Sequence, residues 1–397
     1  MLSPSKFWIN DESSFFDISE PDKTIDIKWN KKVEADYIYM AEAYYHSAEI
    51  ITIDIISEKH DNSKYDQWFF SAMYLYRQAI ELLCKGIVAT YFDSKTTKSL
   101  FLEYRHNVFD LFKQFISQYE IIIPEAEKDW LVEYLSKLEQ IDKNSNLFRY
   151  PIKDGILKDY NDNFLDIVDM ANGFNQSYAI LYKYLDEKYM PLKYSNDIDT
   201  SMSTDVLHFA SHGIGNCMLY QSIWDDGYYT HIKGFSEVVI ILMEKQTIDL
   251  WKLFPLLFLL RHAIELSLKQ MLHSRTDYCV NKKVQNSIKS THNLYKKLWK
   301  NVKPIVTHYA QGNNYDLEQI DIADKCLLEL HTIDTSGFVF RYPTTFDLQH
   351  QLNTEQIDYL HSIHWMIGLF NFLEGCSAML DAAYEYECEM RSNYFEF

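Results

Sequence analysis

Three charges stand at four-residue steps in LLRHAIELSLKQML, Leu259 to Leu272: Arg261, Glu265 and Lys269. The same line recurs as Arg77, Glu81 and Lys85 in RQAIELLCKG. A His-Asn pair follows each line, His106 opening HNVFDLF and His292 opening HNLYKKLW, and FRYP then occurs as Phe148 to Pro151 and as Phe340 to Pro343. Guanidinium forks suit phosphate geometry, an ammonium adds a point charge, and an imidazole moves a proton near neutral pH. One chemistry for this set is therefore phosphate or RNA binding by Arg77, Lys85, Arg149, Arg261, Lys269 and Arg341. His106 and His292 would be the catalytic imidazoles, and Glu81 and Glu265 would orient the cations. The same residues also read as a buried network, in which Glu81 neutralises Arg77 and Arg149 while His106 caps or orients another helix. A site needs these cations and imidazoles open to one cleft, whereas a framework needs them saturated by carboxylates and backbone carbonyls.

Positions i, i+4 and i+8 of an α-helix drift by only about 80°, so each charged line occupies one face. The other faces carry Leu, Ile, Phe and Met almost continuously. Such a helix is central to a bundle, and its charges face a polar cleft, a partner domain or buried counter-charges. An exposed ladder of ion pairs, worth a few tenths of a kcal/mol per pair, is too weak to account for the line in both halves. Apolar periodicity predicts helices over 36–55 and 68–92, and over 233–245 and 250–273. Further helices are expected at each His-Asn pair, over EAEKDWLVEYLSKLEQI and DLEQIDIADKCLLELHTI, and over 159–184 and 354–384. Pro after Arg-Tyr places each FRYP arginine on an extended or turn segment.

RQAIELLCKG and RHAIELSLKQ agree at six of ten positions, including all three charges. The landmarks run in the same order, from 77 to 106 to 149 and from 261 to 292 to 341. Two copies of so long a unit are not a solenoid, so tandem duplicated helical bundles are expected, over 1–195 and 206–397, forming a pseudo-symmetric pair within one chain. The boundary falls in Pro191 to Asp205, where Ser, Thr, Asn and Asp cluster.

The 397 residues are 47% apolar, enough for substantial cores. Lys and Arg total 38 against 57 Asp and Glu, a formal charge of −19, which argues against open duplex DNA binding but leaves room for a local cationic cleft. Six cysteines without a CxxC pair suit reduced thiols in a cytosol. MLSPSKFWINDESSFF has neither the basic start nor the unbroken apolar core of a signal peptide, and the central apolar run Leu253 to Leu260 is far short of a bilayer span. A cytoplasmic protein with no membrane association is expected. No P-loop, Rossmann or hydrolase-elbow motif is present, so no cofactor is expected. His208 and His212 with Cys217, and His361 with His364, read as helix-surface or core histidines, so no metal is expected. The acidic, aromatic tail AAYEYECEMRSNYFEF reads as a solvated terminal helix.

A helical bundle with Arg-x3-Glu-x3-Lys on its central helix, a His-Asn helix start and an FRYP turn resembles the HEPN superfamily of prokaryotic helical domains, over both halves. The resemblance implies a small bundle that pairs with another copy. It also implies a toxin-antitoxin or anti-phage setting, where active members cut RNA without a metal, an Arg and a His acting at the ribose 2′-hydroxyl and the scissile phosphate. That catalytic signature, Arg followed four to six residues later by His, is absent: Arg77 is followed by QAIELLCKG, and Arg261 has only His262 beside it. Two functions are thus expected. One is recognition of RNA or a nucleotide phosphate, with cleavage left open. The other is a non-catalytic regulatory or assembly subunit whose charges are structural. The expected partners are RNA or a nucleotide, a protein of the same defence or toxin-antitoxin system, and a second copy of the chain.

Overall fold

Helix accounts for 67% of the chain and strand for 4% in the computed structural model, the all-α class that apolar spacing predicts. The structure describes residues 7–58, 61–151, 163–185, 198–219, 228–273, 291–313 and 315–395. In chain order the elements are β1 (Thr24–Asp26), α1 (Val33–Ser57), α2 (Asn62–Tyr91), α3 (Ser94–Tyr104), α4 (Val108–Gln118), α5 (Glu125–Asp142), β2 (Phe164–Leu165) and α6 (Ile167–Tyr182). Then come β3 (Phe209–Ala210), β4 (Cys217–Met218), α7 (Tyr228–Lys245), α8 (Leu250–His273), a π-helical turn (Leu294–Trp299), α9 (Lys300–Gly312), α10 (Glu318–Ile333), β5 (Gln356–Asp358) and α11 (Tyr359–Phe395).

The chain forms two compact units, a larger one of residues 27–256 and 339–355 and a smaller one of 1–26, 257–338 and 356–397. These do not follow the expected division at 1–195 and 206–397. In the larger unit α7 packs along α2. The second FRYP belongs there too, because Tyr44 donates to the Phe340 carbonyl at 2.8 Å and Gln78 to the Arg341 carbonyl at 3.0 Å. In the smaller unit the N-terminal segment lies on α11: Phe7 stacks on His364, and the Ser13, Ser14 and Phe15 carbonyls accept from Trp365, His361 and Ser362. β1 pairs antiparallel with β5 in the same unit, Ile25 opposite Ile357. Of the expected boundary segment, residues 191–197 lie outside the described ones.

The larger unit is built around α2, in which every residue from Trp68 to Val88 is buried. Asp61 caps it, its carboxylate accepting from Ser63 and Lys64 backbone N–H groups. Asp93, Asn107 and Asp166 do the same for α3, α4 and α6, satisfying donors that the first helical turn leaves open. In the smaller unit the charged line lies on α8, and residues 257–269 are buried without a break. Asn107 and Asn293 are the Asn of each His-Asn pair, and each caps the turn that follows by accepting from the third residue on.

HNVFDLF buries Val108, Leu111 and Phe112, whereas HNLYKKLW buries Leu294, Leu298 and Trp299, with one residue more between the first and second. The π-helical turn absorbs that extra residue and keeps the apolar face inward, which is the usual role of such a bulge. Short strands, not expected from the sequence, precede the last helix of each half. The helix expected over 159–184 is α6, starting at Ile167 after β2, with residues 159–162 outside the described ones; that expected over 354–384 is α11, starting at Tyr359 after β5. His208 and His212 lie in the strand and turn segment around β3 rather than on a helix. Among the described residues no helix is long and apolar enough to cross a membrane.

Helices α2 and α7 meet closely enough that a Cβ on Gly234 would fall 2.0 Å from the Gln67 carbonyl oxygen. Gly234→Ala must therefore push the two backbones apart, and an equilibrium denaturation curve should show a loss of at least about 1–3 kcal/mol, the usual cost of overpacking. A melting temperature equal to wild type would show that the helices are free to separate here.

Candidate functional site

Helix geometry aligns Arg77, Glu81 and Lys85 on α2, and the turn that caps α4 brings His106 against them. Glu81 receives donors on both carboxylate oxygens. Oε1 accepts from Lys85 Nζ at 2.7 Å, His106 Nδ1 at 3.1 Å and Tyr342 Oη at 2.6 Å, and Oε2 from Arg77 Nη1 at 3.2 Å. Arg77 Nη2 donates to the His106 carbonyl at 2.8 Å, and Nε faces Asp142 Oδ2 at 3.3 Å.

The smaller unit repeats the pattern. Arg261 Nη1 pairs with Glu265 Oε2, Nη2 donates to the His292 carbonyl at 2.6 Å, and Nε donates to Asp334 Oδ2 at 2.9 Å. Lys269 Nζ and His292 Nδ1 reach Glu265 Oε1 at 2.8 and 3.1 Å. Each His-Asn pair thus closes the network through its histidine and starts a helix through its asparagine.

Asp142 and Asp334, which the charged lines alone did not suggest, terminate α5 and α10 and do a second job. Asp142 Oδ1 accepts from the Asn146 and Leu147 N–H groups, and Asp334 Oδ1 from Gly337 and Phe338. Three residues after each aspartate the chain takes a left-handed conformation, at Ser145 (φ 55°) and Gly337 (φ 79°). At Gly337 the positive φ is one that glycine takes without strain, and the turn there lies beside the Arg261 guanidinium. A sequence signal for both aspartates exists: Ile-Asp stands seven residues before the FRYP arginine in each half, as Asp142 to Arg149 and Asp334 to Arg341.

The FRYP arginines do not converge as expected. Arg341 joins the network of the first line, its Nη2 3.3 Å from Gln78 Oε1 and 3.2 Å from Tyr342 Oη, beside Glu81 rather than Glu265. Arg149 turns back on its own loop, donating to the Ser145 carbonyl at 2.6 Å and Asn146 Oδ1 at 2.7 Å. Both guanidinium groups lie near the Tyr74 ring, at 5.8 and 5.9 Å. The expectation that Arg77, Lys85, His106 and Arg149 share one cluster is corrected for Arg149. Its second-half counterpart stands there instead, because residues 339–355 pack into the larger unit.

None of the six cations is more than 4% exposed, and Arg77, Arg261 and Lys269 are 1% exposed. As they stand they offer no open phosphate cleft. The imidazoles reach further, with side-chain exposure of 17% for His106 and 34% for His292. Burial alone would raise the Glu81 carboxyl, but Lys85, His106 and Arg77 hold it well below the usual carboxylate range. Glu265 is depressed in the same way, with Lys269, His292 and Arg261 overcoming burial. Burial brings His106 from 6.5 down to about 4, with Arg341 and Lys85 adding to the fall and Glu81 opposing it. His106 is therefore neutral at pH 7, and its contact to Glu81 is a hydrogen bond from Nδ1–H rather than an ion pair.

No group of three or more His, Cys, Asp or Glu positioned for a metal occurs among the described residues. His361 is tied to Ser14 and Ser19, and His364 lies under Phe7, both as packing groups. Comparison with protein-family models, curated proteins and solved structures gives no match to this chain.

The depressed groups fix the acid response. The unfolded chain takes up a proton on His106 near 6.5 and the folded one only near 4, so stability falls as pH drops between those values. Glu81 and Glu265 add a loss below the ordinary carboxylate range, because the folded state resists protonating them. Melting temperatures measured between pH 7 and 4 should decline, and His106→Gln should flatten the part above pH 4.5. An unchanged profile in that variant would remove His106 from the linkage.

Proposed function

We propose that the chain is a HEPN-like helical protein of prokaryotic anti-phage defence or toxin-antitoxin type, acting as a non-catalytic regulatory or assembly subunit whose repeated charges form its internal framework. The single observation behind this is saturation: each line closes on buried carboxylates and a histidine carbonyl, with the same atoms paired in both units. A phosphate would reach Arg77 or Arg261 only by displacing those partners, leaving Glu81 or Glu265 stranded in a dry interior. Pairing of the two copies with each other or with a second chain, and a cytoplasmic setting, belong to the same proposal.

A second reading, recognition and cleavage of RNA or a nucleotide phosphate, is favoured by the partial exposure of His106 and His292 alone. In that reading the imidazoles touch the 2′-hydroxyl and the scissile phosphate while the buried cations position them.

Arg77→Ala and Arg261→Ala separate the two. On the framework reading each substitution lowers stability by about 3–5 kcal/mol, as for a broken buried pair, and RNA retention and cleavage stay at the wild-type level. His106→Ala with His292→Ala should likewise leave RNA behaviour unchanged. A stable arginine variant, or a folded double-histidine variant, that loses an RNA activity present in the parent would overturn the framework reading.

A further inference from the structure

The smaller unit carries a pocket of about 780 Å³ where the π-helical turn runs into α9, away from the buried lines. Its lining includes Tyr295, Pro304 and His308 together with Lys296, Lys300 and Lys303, while Trp299, which also borders it, is 1% exposed and belongs to the core. Asp324 on α10 fixes the walls, accepting from Trp299 Nε1 at 2.8 Å and from the Tyr295 hydroxyl at 3.1 Å. Its charge is already met by Lys303 at 3.2 Å. Lys296 and Lys300 are exposed and make no ion pair among the described residues. Two exposed cations thus stand beside the half-buried Tyr295 ring in a chain whose net charge is −19.

The first copy differs from this arrangement at two of the three lysines. Counting from the capping asparagines, Asp110 stands where the second copy has Lys296, and with the extra π-turn residue allowed for, Ile116 stands where it has Lys303. At those two positions the copies differ in charge, while Lys113 stands where the second copy has Lys300 and the buried face is kept, Leu298 and Trp299 taking the places of Leu111 and Phe112. The framework needs no such change, because Asp110 and Lys296 both lie outside the paired charges of their own copy.

We propose that this pocket binds small organic anions in which a phosphate or carboxylate is carried on a flat apolar ring system. The ring lies against Tyr295 and Pro304, and the anionic head meets Lys296 and Lys300. Both chemistries share the requirement for a head and a body together, since two exposed lysines hold a bare anion only weakly in water, and a preformed apolar pocket with a few polar groups is the usual form of a small-ligand site. The inference is independent of both readings of the buried lines.

The test is isothermal titration of the full chain with AMP and with 2-naphthoate as the two anionic sources, and with adenosine and inorganic phosphate as the body and the head alone. At least one of the first two should saturate at one per chain with a Kd below about 1 mM. Lys296→Asp with Lys300→Ala should weaken it at least about tenfold at unchanged melting temperature, and 0.5 M salt should weaken it in the parent, as exposed charges are screened. Lys296→Gln with Lys300→Gln repeats the test should the first pair disturb folding. Four results overturn the proposal: neither anion binds, the lysine variants bind as the parent does, adenosine matches AMP, or inorganic phosphate matches both anions.

Discussion

A carboxylate withdrawn from water must find donors for both of its oxygens, and much of this structure follows from meeting that requirement at Glu81 and Glu265. Each is 1% exposed. A helix supplies two of the partners by itself, the Arg four residues before and the Lys four residues after. It cannot supply the rest, so a histidine from a later helix start donates to the carboxylate, and an aspartate from the end of another helix takes the remaining arginine Nε. Arg77 and Lys85 then balance Glu81 and Asp142, and Arg261 and Lys269 balance Glu265 and Asp334. With the charges already matched, and Arg341 added beside the first set, His106 has no reason to be protonated, which agrees with its depressed pKa.

Buried ion networks are not in themselves a strong source of stability, because desolvation offsets most of the attraction. Their effect is on which arrangements of the chain are tolerated. A one-residue shift of α2 against the start of α4 would leave Arg77 without the His106 carbonyl and Glu81 without an imidazole, and no water would replace them. A bundle of apolar helices that could slide or rotate is thereby held to one register. The capping asparagines and the aspartate-closed turns fix the same joints from the backbone side.

Much of this was legible in the sequence. Three- and four-residue apolar spacing announced α1, α2, α5, α7, α8 and α10, and Arg-x3-Glu-x3-Lys, His-Asn and FRYP marked the repeated landmarks. Asp142 and Asp334 were legible too, through Ile-Asp seven residues before each FRYP arginine, although that pair draws the eye less than a charged line. Accessibility was not legible: a charge every fourth residue looks the same whether it faces a cleft or counter-charges. Nor could chain order show that Arg341 and Tyr342 would settle beside Glu81, since that depends on how residues 339–355 pack. Strands of two or three residues are too short to display a period of two, and the π-helical turn showed only as one extra lysine.

The central claim is that each charged line is an internal joint that couples distant segments. Arg261 and Asp334, 73 residues apart and joined at 2.9 Å, test it most directly. A double-mutant cycle with Arg261→Met and Asp334→Asn, followed by denaturant unfolding, should give a coupling free energy of about 1–3 kcal/mol, the range for partners in one buried network. Additivity within about 0.5 kcal/mol, the behaviour of independent sites, would contradict the account.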